Sequence, residues 1–221
     1  MLPPEVDTCA LPQKLKSATA AMHRRVERSA FMSRLLRGDI ERGRYIVLLR
    51  NLHALYAALE RALLRQAAHP SVAAVLLPEL FRCAAIEADL AVLTAMQRDD
   101  APAAPPLLPA TRAYVEHLDQ LGAAQPHLLV AHAYVRYLGD LNGGQALRRV
   151  VSRALALEGG AGTMFYDFGD RAACLQLMQR FRVGLEAVQA MTAERDAIVI
   201  EAVSAFERHE HLFTELADAI L

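Results

Sequence analysis

Residues 131–155 read AHAYVRYLGDLNGGQALRRVVSRAL, in which strongly helical flanks are broken by Gly139, Gly143 and Gly144, with Asp140 and Asn142 between them. A glycine inside a helix costs about 0.5–1 kcal/mol relative to alanine, so three of them need a reason. Two readings stand at this point. The glycines form a helix–turn–helix corner, or a single bent helix carries them at i, i+4 and i+5 and leaves one face bare. In the second reading backbone approaches a flat ligand within van der Waals contact, and Asp140 sets a carboxylate beside the bare patch.

Working outward, the stretch KLKSATAAMHRRVE at 14–27 places Lys16 and His23 seven residues apart, within about 20° of each other on a helix. Glu27 lies one turn beyond His23. The plain reading is a boundary histidine in an i,i+4 contact with Glu27. The sharper one is a neutral imidazole that ligates a metal through one nitrogen while Glu27 orients the other. Taken with the bare glycine face, it makes a sandwich into which haem fits, an axial imidazole on one side and backbone with a carboxylate on the other.

The rest of the chain supports an all-α, single helical domain. Leu15, Ala18, Met22 and Val26 form one helical stripe, and Ile46, Leu49, Leu52, Leu55 and Leu59 form another. Further helices are expected at about 79–97, 110–121, 127–157, 171–190 and 193–220, with Gly38 and Asp39 as a stop–start signal and Gly122 as a helix end. Residues 1–11 read as a flexible N-terminus and the Pro-rich 98–110 as a surface loop of one domain spanning 1–221.

Composition excludes several functions. Hydrophobic residues make up 54% of 221 and charged residues 22%, so the chain can bury a core. The net charge of −1 gives no support to nucleic-acid binding. It is unevenly spread: residues 1–50 carry ten basic and five acidic side chains, residues 51–221 fourteen and twenty. An anion is therefore expected to meet the N-terminal quarter. Cys9, Cys83 and Cys174 are too far apart in sequence for a disulfide framework or a CxxC metal site, and without CxxCH any haem is held without thioether links. HExxH, Glu-x-x-His, P-loop and GxSxG patterns are absent. Neither a leader nor an apolar span is visible, and a cytoplasmic protein is expected. Twenty-two of 24 basic residues are arginine, which suits a GC-rich bacterial genome.

At these residues the chain resembles the heme oxygenase family, from Leu15 to Leu216. LKSATAAMHRRVERSAFM resembles the proximal helix, with His23 at the haem-ligand position and Glu27 as its partner. HALYAALE at 53–60 is similar to the segment whose tyrosine, here Tyr56, joins the distal hydrogen-bond network. AYVRYLGDLNGGQAL at 133–147 resembles the distal-helix signature and carries Tyr134, Arg136, Gly139, Asp140, Gly143 and Gly144 onto family positions. QRFRVGLEAV and AFERHEHLFTEL resemble the last two helices, with Arg180 at a propionate-binding position and Phe206 and Phe213 in the haem pocket. Ala20 and Gln176 stand where many members have lysines, so propionate anchoring falls to Lys16, Tyr134 and Arg180. His209 takes a polar position to which the resemblance assigns no role.

The resemblance implies haem b as both substrate and cofactor, sandwiched between a proximal and a kinked distal helix and cleaved with O2 at a meso carbon to biliverdin, CO and ferrous iron. It also implies an external electron donor, ferredoxin or a flavoprotein reductase, and a monomer without a membrane anchor. Asp140 is expected to hold a water that donates the proton, with Arg136 and Tyr56 fixing it. A haem carrier on the same fold needs His23 but not Asp140; an interaction module without cofactor leaves the glycines unexplained.

Overall fold

A computed structural model describes residues 10–97, 105–188 and 192–220, and among them regular structure is wholly helical. The helices are α1 (Leu11–Glu27), α2 (Ala30–Leu36), α3 (Arg42–Arg65), α4 (Pro70–Val75), α5 (Cys83–Ala95), α6 (Pro109–Ala124), α7 (Leu129–Ala154), α8 (Arg171–Glu186) and α9 (Thr192–Ile220). Single 3₁₀ turns lie at 78–80, 126–128 and 164–166. No described helix is long and apolar enough to cross a membrane.

The stripe on α3 is buried throughout, with Leu49, Leu55 and Leu59 fully enclosed. Its two sides pack on α5 and α6, while α1, α2 and α7 lie against α9. On α1 the buried face is Leu11, Leu15, Thr19 and Met22. Ala18 is exposed instead; Thr19 takes the inward place because its hydroxyl donates to the Leu15 carbonyl at 2.7 Å and so needs no other partner. Two ion pairs tie α1 across α9: Lys14 Nζ to Asp196 at 3.1 Å, and Arg25 to Glu210.

Several boundaries differ from the periodic reading. Residues 1–9 of the expected N-terminal tail lie outside the described residues, and Leu11 already opens α1 and is buried. Residues 98–104 of the expected loop also lie outside, and Pro109 opens α6, where a missing N–H costs nothing. Gly122 does not end that helix: it runs two residues further, because Gly122 sits over Ala62, whose Cβ would be 3.1 Å from an added Cβ. Gly38 does mark a break, at φ +74°. The segment before it holds a second break, where the Ser29 hydroxyl accepts the Met32 amide and starts α2.

Candidate functional site

α7 is helical without interruption from Leu129 to Ala154, so the glycines form no corner. They do not share one role. A Cβ on Gly139 or Gly143 would meet nothing within 4 Å, whereas one on Gly144 would lie 3.4 Å from the Tyr166 carbonyl oxygen. Gly144 therefore admits the 164–166 turn against α7. That turn is held by Asp89 of α5, a fully buried carboxylate that accepts the Met164 and Phe165 amides at 2.7 and 2.8 Å.

Gly139 and Gly143 face a cavity of about 260 Å³. Its walls come from His23 and Glu27 of α1, Phe31 and Leu35 of α2, Leu48 and Leu52 of α3, Arg136 and Asp140 of α7, the 164–166 turn, and Phe206, His209 and Phe213 of α9. The mouth lies at His23 and Glu27, whose side chains are 52% and 57% exposed. His23 Nδ1 stands 3.4 Å from Glu27 Oε2, so Nε2 is the nitrogen left for a ligand. The ring rests edge-on against Phe206, with centroids 5.9 Å apart.

Across the cavity, a polar group closes on Asp140. Tyr56 of α3 donates its hydroxyl hydrogen to Asp140 Oδ2. Arg136 donates from Nε and Nη2 to the Tyr56 oxygen, at 3.0 and 2.6 Å, and from Nη2 to Asp140 Oδ1 at 3.2 Å. Burial raises the Asp140 pKa above the usual carboxylate value, against the opposing pull of the Arg136 charge and the Tyr56 hydrogen bond. Tyr56 is pushed well up, chiefly by burial. For Arg136 burial works against the charge, but Asp140 and Tyr56 outweigh it, and the guanidinium stays charged.

The structure thus brings His23, Glu27, Arg136, Gly139, Asp140, Gly143, Phe206 and Phe213 to one cavity, with Tyr56 directly behind Asp140. It does not bring Lys16, Tyr134 or Arg180 to the wall. Lys16 is exposed on α1, Tyr134 is half-buried on α7, and Arg180 is paired with Glu79 at 2.7 Å. The other candidate ligands are engaged elsewhere. His132 uses both nitrogens, on Tyr114 at 2.8 Å and Glu201 at 2.9 Å, and His53 meets Glu87 at 2.9 Å. His117 also meets Glu201, at 2.7 Å; these are hydrogen-bond lengths.

Sequence reasoning passed over His209 as part of the wall. The signal was there: Phe206, His209 and Phe213 lie at i, i+3 and i+7 on one face of α9. Tyr166 left no such trace, since its place depends on Asp89, 77 residues earlier.

Residues 9–215 match the family model described as heme oxygenase. The human protein named Heme oxygenase 1 is 35% identical over 212 residues, 95% of this chain and 73% of that protein. Heme oxygenase 1 of Nostoc sp. is 34% identical over 207 residues, 93% and 85% of the two chains. The structure of heme oxygenase-1 from the cyanobacterium Synechocystis sp. PCC6803 in complex with heme has a TM-score of 0.85 and 32% identity, covering 96% of this chain and 94% of that one. The heme oxygenase structure from Leptospira interrogans has a TM-score of 0.86 at 32% identity, covering 94% and 100%.

Proposed function

The chain belongs to the heme oxygenase family, and from that premise we propose a role for each residue around the cavity. The protein is a haem-degrading oxidoreductase. Haem, as substrate and prosthetic group together, supplies the iron at which O2 is reduced and the meso carbon that is cleaved, giving biliverdin, CO and Fe(II).

The wall suits a flat macrocycle. Gly139 and Gly143 present backbone where any side chain would fill the space, and that bare face is the observation that carries the assignment. His23 Nε2 takes the iron, and Glu27 holds the imidazole through Nδ1. Phe206 and Phe213 supply apolar surface from α9. The glycine backbone restricts the distal space and directs the reacting oxygen along the ring toward one meso edge.

The proton work falls to α7. Asp140 holds a water that delivers the proton on the distal side, Tyr56 and Arg136 fix its carboxyl, and Gly144 keeps α7 in register with the turn behind it. Buried among these partners, Asp140 is suited to hold and release a proton rather than to bind the iron.

Lys16, Tyr134 and Arg180 take the propionates at the edge. Arg180 must release Glu79 to do so, and both side chains are about half exposed, so the pair resists by no more than about 1 kcal/mol. A ferredoxin or flavoprotein donor docks on the basic N-terminal quarter.

Reconstitution with haem followed by turnover with ascorbate, and chromatography of the pigment, tests the reading. Biliverdin is the expected product. In His23→Ala the ferric spectrum changes and turnover stops, returning with added imidazole; an unchanged spectrum and undiminished turnover would reject His23 as the ligand.

A further inference from the structure

Away from the haem cavity, α6, α7 and α9 bring three polar side chains to one point. His117 of α6 and His132 of α7 both direct Nε2 at Oε1 of Glu201 on α9, at 2.7 and 2.9 Å. The three atoms lie within 4.8 Å of one another, and no other three His, Cys, Asp or Glu side chains converge in this way among the described residues. The two rings stand nearly edge to face, with centroids 5.6 Å apart. Glu201 follows His132 by 69 residues, so no local motif announces the group.

An ionised carboxylate only accepts, so as hydrogen bonds these contacts place a proton on each Nε2. The geometry offers more than a polar knot between helices. Both rings aim at a single oxygen, which is convergence on a point. His132 is held at its other nitrogen, where Nδ1 lies 2.8 Å from the buried Tyr114 hydroxyl. The group is also open on one side: the His132 side chain is fully buried, but those of Glu201 and His117 are 12% and 19% exposed. Burial keeps His132 neutral against the pull of Glu201, and a neutral imidazole is the form that ligates a metal.

We propose that His117, His132 and Glu201 form a binding site for a divalent transition-metal ion of the zinc type, separate from the haem cavity. Two imidazole nitrogens and one carboxylate oxygen suit Zn²⁺ with a further place open to water, whereas Mg²⁺ and Ca²⁺ call for oxygen ligands. Around an ion at about 2.0–2.2 Å the ligand atoms stand roughly 3.3 Å apart, so both contacts to Glu201 open by about half an ångström. Each neutral ring keeps its one proton, moved from Nε2 to Nδ1, and Nε2 gives its lone pair to the ion. In His132 the relocated proton is donated to the Tyr114 oxygen, which fixes the ring as a ligand.

Tyr114 also divides the two sites. Its ring is 5.4 Å from that of His132 and 5.6 Å from that of His209 in the cavity wall. Arg208 stands over the Tyr114 ring, 6.0 Å from its centroid. A cation therefore meets like charge on that side and enters from the side of His117.

The test is titration of the full haem-free chain with Zn²⁺, followed by calorimetry and by nitrogen NMR of the histidine rings, in wild type, His117→Gln and Glu201→Gln. Glutamine at either place keeps a hydrogen-bonding group between the helices but removes a metal ligand. Wild type should take up one zinc ion, with the Nε2 signals of both His117 and His132 shifted. Each variant should bind it at least ~10²-fold more weakly, since removing an outer partner alone costs 10–100-fold. His23→Ala and His69→Ala, which remove the His23–Glu27 pair and the stacked His69–His127 pair, should bind zinc as wild type does. Excess Mg²⁺ should not displace it, and Co²⁺ in its place should give no thiolate-to-metal band. No saturable uptake, zinc bound with either ring unshifted, or undiminished binding in either glutamine variant overturns the proposal. So does binding lost in His23→Ala or His69→Ala, displacement by Mg²⁺, or a thiolate band. The ring signals of wild type decide the site even where a variant fails to fold.

Discussion

Burial of Asp140 works against its charge while Arg136 and Tyr56 work for it, and this balance makes the carboxyl useful on the distal side. Burial alone would push the carboxyl further toward its protonated form, and the Arg136 charge and the Tyr56 hydrogen bond pull it back. Other buried groups show the same physics without chemistry. His132 and His209 are held neutral, in both cases chiefly by burial. Because their folded pKa values lie below the unfolded value of about 6.5, the unfolded chain takes up protons that the fold refuses as pH drops past that value. Stability is therefore full above about pH 6.5 and falls below it, by up to about 1.4 kcal/mol per pH unit for each histidine. Thermal unfolding of the haem-free protein should show Tm declining from pH 7 toward pH 5; a flat Tm would mean that these imidazoles are charged in the fold.

At the scale of elements, two glycines on different helices make opposite predictions. Gly143 of α7 faces open space. Gly143→Leu should leave the haem-free fold as stable as wild type, since a helix interior favours leucine over glycine by about 0.5–1 kcal/mol. It should nevertheless cost haem affinity about tenfold or more, because the added bulk must be displaced at about 1–3 kcal/mol. Gly184 of α8 crosses α4 so closely that a Cβ would lie 2.0 Å from the Ala74 carbonyl oxygen. Gly184→Ala should lower Tm through about 1–3 kcal/mol of overpacking. Haem titration and thermal unfolding of both variants check the pair. Unchanged affinity in Gly143→Leu would remove α7 from the haem face.

What the sequence revealed at this scale was what is local. The α3 stripe is written in spacings of three and four residues and could be read without a partner, whereas the glycine run of α7 left a corner and a continuous helix both open until Tyr166 was placed against Gly144. The short α4 and the true end of α6 could not be read alone. Gly122 looks like a stop until Ala62 is placed beneath it, and Gly184 looks unremarkable until α4 is seen to cross it. The site divides in the same way: His23, Glu27, Arg136 and Asp140 sit in local motifs. Tyr56 was found by resemblance to a segment, and the 164–166 turn depends on a carboxylate from another helix.

Over the whole molecule the charge is divided, with the excess of arginine and lysine confined to the first 50 residues. These include α1 and α2, which border the mouth at His23. An acidic electron donor should be drawn to that side. The attraction is screened over about 8 Å at physiological salt, so turnover with a ferredoxin should fall steeply as salt rises, while turnover with ascorbate falls much less. Equal salt dependence would argue against a docking site built on charge.

The central claim is that Asp140, held by Tyr56 and Arg136 over a bare glycine face, controls the proton needed to open the macrocycle. Bilin yield per haem, wild type against Asp140→Ala with one reductant, tests it most directly. Both proteins should bind haem with similar affinity, because Asp140 adds little apolar contact. Wild type should convert haem to biliverdin, and the variant should form bilin at least ~10²-fold more slowly, the usual loss when a group that moves a proton is removed. Equal yields would contradict the claim.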